Sequence, residues 1–595
     1  MSIARIHQYY NELHEIKQFS GETKETSLRR PFAELLSYFA KERNLRLVDE
    51  VKIPNSTKQP DGVLIDIFRY RYGYWEAKDA KDDFEKELNQ KIKIGYPTDN
   101  LLFENGQKAM LIQGSSRETC DMTDAKALLK LLQRFISFER AEAKGFRQAL
   151  EIFKQEVGTI AQILKEMISP LTPEGETKTP SPNGEGEGSE VSFKKVRANF
   201  GSAYQSLLEL CKTAINPNIT HNEVNEMIVQ HILTGDIFRH VFGDAQYHEE
   251  NNIAQVLTEV EKTFFTGDLK RSTLQAIQPY YQAIKAQAAA LLAHEEKQDF
   301  LKTIYENFYQ AYNPKGADKL GIVYTPSEIV NFMIDGTEYL LEKYFDKTLS
   351  DKNVHILDPA TGTGTFITHL IKKISPYTLK YKYEHELHAN EVAILPYYIA
   401  NLNIEYIYKQ KMGEYLTFNN ICWVDTLDNV GALQYVGKQN ALFGSIAENA
   451  QRIKAQNEKR ISVVIGNPPY NANQQNENDN NKNRDYKDVD KRIKDTYIKE
   501  STAQKTKQYD MYKRFIRWAS DRIADNGLVC FVVNRSFIDK KQDDGFRKTI
   551  AKEFDYCYIT DFGGDVRAEQ AEATDNVFGI MTGVAVIILI KKEKK

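Results

Sequence analysis

The chain has 595 residues, of which 27% are charged and 41% hydrophobic, and carries a formal net charge of −4. That length should hold three or so domains, each with its own core, and the near-neutral balance excludes a polycation, so contact with nucleic acid must rest on local patches. Five scattered cysteines without a C-x-x-C pair fit reduced thiols, and a polar start with only short apolar runs predicts a cytoplasmic protein with no membrane partner.

Residues 31–42 read as a helix. After it, residues 59–78 read Gln-Pro-Asp-Gly-Val-Leu-Ile-Asp-Ile-Phe-Arg-Tyr-Arg-Tyr-Gly-Tyr-Trp-Glu-Ala-Lys. Asp61 opens an alternating strand, Gly73 punctuates, and Glu76 and Lys78 stand two apart on one face of a second strand. Antiparallel pairing would bring Asp61 near Glu76 and Lys78. Two carboxylates can hold Mg²⁺ through oxygen ligands, and an adjacent lysine can orient the attacking water and oppose phosphate charge. Asp66 is an alternative acid, Glu34 offers a third carboxylate, and a surface hairpin with solvated charges is the plain alternative. Residues 81–90 continue as a charged helix, residues 100–104 return to a strand, and residues 121–167 are helical.

Residues 169–190 are rich in Pro, Gly, Ser, Thr and Glu. They predict a flexible linker spanning on the order of 25 Å. Residues 196–320 are helical again, with periodic apolar positions, and read as a coupler. The strand Val354–Leu357 then runs into Asp358-Pro-Ala-Thr-Gly-Thr-Gly-Thr-Phe366 and an amphipathic helix (Ile367, Leu370, Ile371, Ile374). Strand, glycine-rich turn and helix build a nucleotide-type site at the strand's carboxyl end. The spacing is not G-x-G-x-x-G and no Walker lysine follows. A plain tight turn is the alternative.

The strand Ser462–Gly466 stops on Asn467-Pro468-Pro469-Tyr470. Two prolines cannot continue a helix or a central strand, so the chain leaves the sheet in a rigid turn. That turn presents a side-chain amide (Asn467), a backbone carbonyl (Pro468) and an aromatic face (Tyr470). An exocyclic amine on a flat ring needs those three things. Farther on come the basic stretch 491–507, which is a candidate DNA patch or an ordinary solvated loop, a helix bearing Asp510-Met511-Tyr512, and strands at 528–533 and 584–590.

The pair D-P-A-x-G-x-G-x-F and N-P-P-Y resembles the amino-group methyltransferases that use S-adenosylmethionine, in the order of the γ group of DNA adenine methyltransferases. The resemblance implies a Rossmann-like seven-stranded α/β domain. It assigns the cofactor to Tyr324, Thr325 and Pro326 (motif X), to Asp358, Ala360, Gly362, Gly364 and Phe366, to Glu391 for the ribose, and to Asp425 for the adenine amine. It gives Asn467, Pro468 and Tyr470 to the target base. At the amino end, P-D, 14 intervening residues and E-A-K resemble the PD-(D/E)XK nuclease core, an α/β module in which Asp61 and Glu76 hold Mg²⁺ beside Lys78. Gln90 is similar to a further nuclease-motif glutamine.

Together the two resemble single-chain restriction–modification enzymes of the type IIG and type ISP groups. The expected domains are a nuclease-like module (1–168), a linker (169–192), a helical coupler (193–320) and an N6-adenine methyltransferase (321–595). The implied partner is double-stranded DNA with a flipped adenine. Since no reader is visible, two readings of recognition stay open: a separate target-recognition subunit, or a carboxyl-terminal recognition domain that this chain lacks as a truncated form. Three other readings stay open: a glutamine-amide methyltransferase acting on protein, a modification subunit with a degenerate nuclease, and a non-catalytic DNA-binding protein.

Overall fold

The computed structural model describes residues 2–20, 25–49, 51–53, 56, 58–79, 81–172, 187–215, 219–241, 251–291, 294–312, 325–428, 444–469, 485–502, 506–563 and 583–593. The chain divides into two compact units. The first comprises Met1–Glu156, His240–Gly243 and Ala276–Phe308, and the second Val157–Arg239, Asp244–Gln275 and Tyr309–Lys595.

The first unit is built on a six-stranded sheet: β1 (Arg46–Val48), β2 (Gly62–Ile65), β3 (Arg71–Ala77), β4 (Leu101–Glu104), β5 (Lys108–Gln113) and β6 (Ser116–Asp121), in that spatial order. Neighbours are antiparallel except β3 and β4, which run parallel because the helix Phe84–Lys93 crosses between them. Asp83 caps that helix by accepting from the Lys86 N–H. Phe84 and Leu88 pack with Val63, Ile65, Tyr74, Leu101 and Phe103 on one face of the sheet. Trp75, on the opposite face by the strand's pleat, meets Phe32 of the helix Glu25–Lys41 at 5.7 Å.

With helices on both faces, every residue of β2 is buried, and the alternation expected there is absent. Gly73 does not punctuate either. It lies inside β3 opposite Leu64, where a Cβ would come within 2.6 Å of Asn100 Nδ2 and the Phe135 ring. The chain turns instead over residues 66–70, with Arg69 at φ 63°. Asp66 makes that turn, its Oδ1 accepting from the N–H groups of Phe68 and Tyr70 at 2.9 Å each. Part of the stretch expected as a separate coupler joins this unit: Tyr280 stacks on Phe153 at 4.3 Å, and Gln287 Nε2 donates to the Phe68 carbonyl at 3.0 Å.

The second unit holds a seven-stranded sheet: β7 (His355–Asp358), β8 (Leu387–Glu391), β9 (Ile421–Trp423), β10 (Ile461–Gly466), β11 (Ile523–Asn534), β12 (Tyr556–Asp561) and β13 (Val584–Lys591). The spatial order is β12-β13-β11-β10-β7-β8-β9. The strands from β9 to β11 are parallel, and β13 runs antiparallel between β11 and β12. The order reverses at β7, which is the topological switch point where open α/β sheets bind ligands. Helices Glu187–Ala214 and Asn252–Phe264, and His221–Val241 as far as Arg239, belong to the same unit. The first of them begins inside the segment expected as linker. Residues 173–186, 313–324 and 470–484 lie outside the described residues. Among the described residues no helix is long and apolar enough to cross a membrane.

Candidate functional site

Because β7, β8, β9 and β10 run parallel, their carboxyl ends share one edge. Asp358 closes β7, Glu391 closes β8, Asp425 follows β9, and Asn467 follows β10. The edge thus gathers residues drawn from four separate stretches of sequence.

Asp358 is fully buried. Its Oδ1 accepts from the Ala360 N–H at 3.2 Å, while among the described residues Oδ2 has no hydrogen-bond partner. Burial pushes this carboxyl up to about 7. Glu391 Oε1 accepts from the N–H groups of Val392 (3.0 Å) and Ala393 (2.8 Å), and Oε2 accepts from that of Gly362 (2.8 Å). Burial nonetheless pushes it up to about 7, with the Asp425 charge adding to the rise and the three N–H groups offsetting part of it. The glycine turn between β7 and the helix Thr365–Lys373 has Gly362 at φ 56° and Gly364 at φ 87°. A Cβ on Gly362 would meet no atom within 4 Å, whereas one on Gly364 would lie 3.1 Å from Ala400 Cα. Among the described residues the first glycine therefore has no neighbour on its Cβ side, and the second permits close packing. Ala360 is half-buried, and Phe366 is a core residue at the start of the helix.

Asp425 Oδ1 accepts from the Leu427 N–H at 3.1 Å, and Oδ2 accepts from the Tyr486 hydroxyl at 3.0 Å. Asn467 Nδ2 donates to Thr325 Oγ1 at 2.9 Å. Thr325, assigned to the cofactor by resemblance, thus touches the Asn-Pro-Pro turn. Pro326 precedes and caps the helix Ser327–Phe345, and Pro468 is buried. Tyr324 and Tyr470 lie outside the described residues. Gly466, just before the turn, is where β10 meets β7: a Cβ there would sit 2.7 Å from Asp358 Oδ1. Its signal in the sequence is only its position next to Asn467. Tyr486 has none.

In the first unit, Asp61 and Glu76 do come together. The Glu76 charge and, more strongly, burial raise the Asp61 carboxyl. Asp61 Oδ2 accepts from the Ala77 N–H at 2.8 Å, and Arg29 pairs with Oδ1 at 3.0 Å. Lys78 Nζ meets Glu76 Oε1 at 2.9 Å, Lys91 pairs with the same oxygen, and the Tyr96 hydroxyl donates to Oε2 at 3.1 Å. Arg29, Lys91 and Tyr96 belong to no pattern visible in sequence, because a helix and a parallel crossover deliver them. Glu34 is not part of the pair: it bonds Arg30 one turn away on an exposed helix face. Asp66 is a turn residue, as described above. Gln90 is exposed. Among the described residues no group of three or more His, Cys, Asp and Glu side chains could hold a metal. In the basic stretch, Arg492 pairs with Asp521, while Lys491, Lys494 and Lys499 are exposed.

Residues 380–567 match the family described as Eco57I restriction-modification methylase, and residues 190–296 match the type ISP restriction-modification enzyme coupler domain. Among solved structures, the chain is similar to DrdV in a DNA complex, with 47% identity over 100% of this chain and 57% of that chain and a TM-score of 0.67. It is also similar to the type ISP enzyme LlaGI, a nuclease-deletion mutant bound to a DNA substrate mimic (30% identity, 79% and 36% covered, TM-score 0.61). A third is the ATP-dependent type ISP enzyme LlaBIII bound to DNA (29% identity, 85% and 32% covered, TM-score 0.65). The chain therefore spans 57% of the DrdV chain and about a third of the other two. No curated protein sequence matched it.

Proposed function

The chain belongs to the single-chain restriction–modification enzymes, and on that footing we propose that its second unit methylates adenine N6 in DNA from S-adenosylmethionine. The observation that carries this reading is the meeting of Asp358, Glu391, Asp425 and Asn467 at one edge of the parallel strands. The seven-stranded order, with its one antiparallel strand next to the edge, supports reading the unit as a Rossmann-like methyltransferase. The residues fit the cofactor. Asp358 Oδ2 is a buried acceptor with no partner by hydrogen-bond geometry among the described residues, and a Cβ on Gly362 would meet none of their atoms within 4 Å. Glu391 and Asp425 supply acceptors for a ribose hydroxyl and an adenine amine. When bound, the cofactor supplies an electrophilic methyl group.

The chain's own residues do the rest. A duplex hides the amine, so the target adenine must leave the stack at a cost of a few kcal/mol, which stacking on Tyr470 (~1–3 kcal/mol) offsets in part. Asn467 Oδ1 and the Pro468 carbonyl accept the two N–H groups of the amine. Those bonds draw the nitrogen lone pair out of ring conjugation and receive the charge that develops on the N–H groups. Thr325, by taking the Nδ2 side of the Asn467 amide, fixes which way the oxygen points.

For the first unit we infer phosphodiester hydrolysis with Mg²⁺. Two carboxylates within each other's field fit this ion, which commonly takes one or two protein oxygens and keeps its waters. Asp61 and Glu76 would hold it, and it would supply an activated water and charge on the scissile phosphate. Lys78 would orient that water. A degenerate module is the competing reading, because Arg29, Lys78 and Lys91 already neutralise the two acids.

Labelled S-adenosylmethionine, offered with DNA and with protein as separate acceptors, tests the main reading. Label recovered as N6-methyladenine after DNA digestion is the expected result. Label on a glutamine amide of protein, or on neither, would overturn it.

A further inference from the structure

Asp425 has a neighbour that no motif supplies. The hydroxyl of Tyr486, 61 residues downstream, donates to its Oδ2 at 3.0 Å, while the Leu427 N–H holds Oδ1. Both side chains belong to buried residues, Asp425 at 8% and Tyr486 at 7% exposure. Tyr486 is itself fixed. Its N–H donates to Asp490 Oδ2 at 2.9 Å, and Asp490 takes a two-pronged contact from Arg514, at 2.7 Å from Nε and 2.9 Å from Nη2. The same guanidinium lies over the Tyr486 ring, 5.3 Å from its centroid. The Arg514 side chain is 3% exposed. A buried, bidentate arginine–carboxylate pair with an aromatic face beneath it is a stiff assembly. The phenol is therefore a fixture and not a group that swings in and out.

We propose that Tyr486 is a positioning residue of the cofactor site, one that orients the Asp425 carboxylate so that it receives the adenine amine. This rests on the reading that Asp425 accepts from that amine. A carboxylate oxygen can accept two hydrogen bonds, so the phenol on Oδ2 does not bar the ligand from the same group. An acid held only by its own turn can rotate about its last torsion. One that is also held by a phenol enters binding already oriented, and less ordering is lost when the ligand arrives. Asp425 lies within the field of Glu391, whose own acid is raised mainly by burial and in part by the Asp425 charge. The segment 485–493 thereby becomes part of the cofactor site.

The test is calorimetric binding, on the full chain, of S-adenosylhomocysteine and of its 6-deamino analogue, in which hydrogen replaces the purine amine. The wild type should prefer the amine-bearing ligand, and Asp425→Asn should erase that preference. Tyr486→Phe keeps the ring under Arg514 and removes only the hydroxyl. It should weaken S-adenosylhomocysteine roughly five- to tenfold while leaving the deamino analogue within about twofold. The unchanged analogue also reports an intact pocket. Equal losses for both ligands, or no loss for either, would overturn the role of Tyr486 while leaving Asp425 in its role. A wild type that fails to discriminate would remove the amine from Asp425, and this inference with it.

Discussion

Asn467 and Thr325 are joined by one hydrogen bond across 142 residues of sequence. If Asn467 faces the target amine, Asn467→Ala should cut methylation on the order of 10²–10³-fold, the loss typical of a preorganised polar group aimed at developing charge. Cofactor affinity should stay within a few-fold, and calorimetry beside the methylation assay checks both. Thr325→Val separates two roles for the hydroxyl. As the partner of Asn467 it should slow methylation and leave cofactor binding alone, whereas as a cofactor contact it should weaken binding first. Asn467 is legible in sequence because two prolines force a turn at a strand end. Its partner is not, since nothing local to Val-Tyr-Thr-Pro indicates which side chain the threonine will meet.

At the scale of elements, β7 and β10 touch at one crowded point. Gly466 has no room for a methyl group, because Asp358 Oδ1 lies 2.7 Å and Pro359 Cδ 3.4 Å from where its Cβ would be. Gly466→Ala should displace the Asp358 carboxylate before it disturbs the sheet, since the obstructing atom is a side-chain tip. We expect cofactor affinity to fall by tenfold or more, with stability lost by about 1–3 kcal/mol, the usual cost of overpacking. Calorimetry and thermal melting compared on one variant check the ordering; a large stability loss with affinity unchanged would contradict it. The strands before Asp358 and Asn467 were legible as short apolar runs that stop on polar residues, while Glu391 and Asp425 were assigned through the resemblance. The edge strand β12 was not, because its residues are mostly exposed and show no alternation of buried and exposed faces. The alternation read into β2 failed for the converse reason: helices bury both of its faces.

For the molecule as a whole, the Asp61 carboxylate meets Arg29 and Ala77 of the first unit, whereas Asn467 bonds Thr325 and Asp358 bonds Ala360 of the second. Asp61→Ala and Lys78→Ala should each abolish Mg²⁺-dependent DNA cleavage and leave methylation unchanged. Joint loss of both activities would point to a misfolded module, and undiminished cleavage would move the metal away from this strand pair. The sequence alone determined the order of these turns and acids along the chain, because proline turns, glycine turns and strand ends act through local backbone geometry. It also determined that Asp61, Glu76 and Lys78 would meet, since pleat and strand pairing fix which side chains share a face. Only the tertiary structure decided what surrounds them. Arg29, Lys91 and Tyr96 around the acids, and Tyr486 on Asp425, arrive through crossovers and helix packing, where contact depends on the whole fold and leaves no periodic mark on the residues that make it.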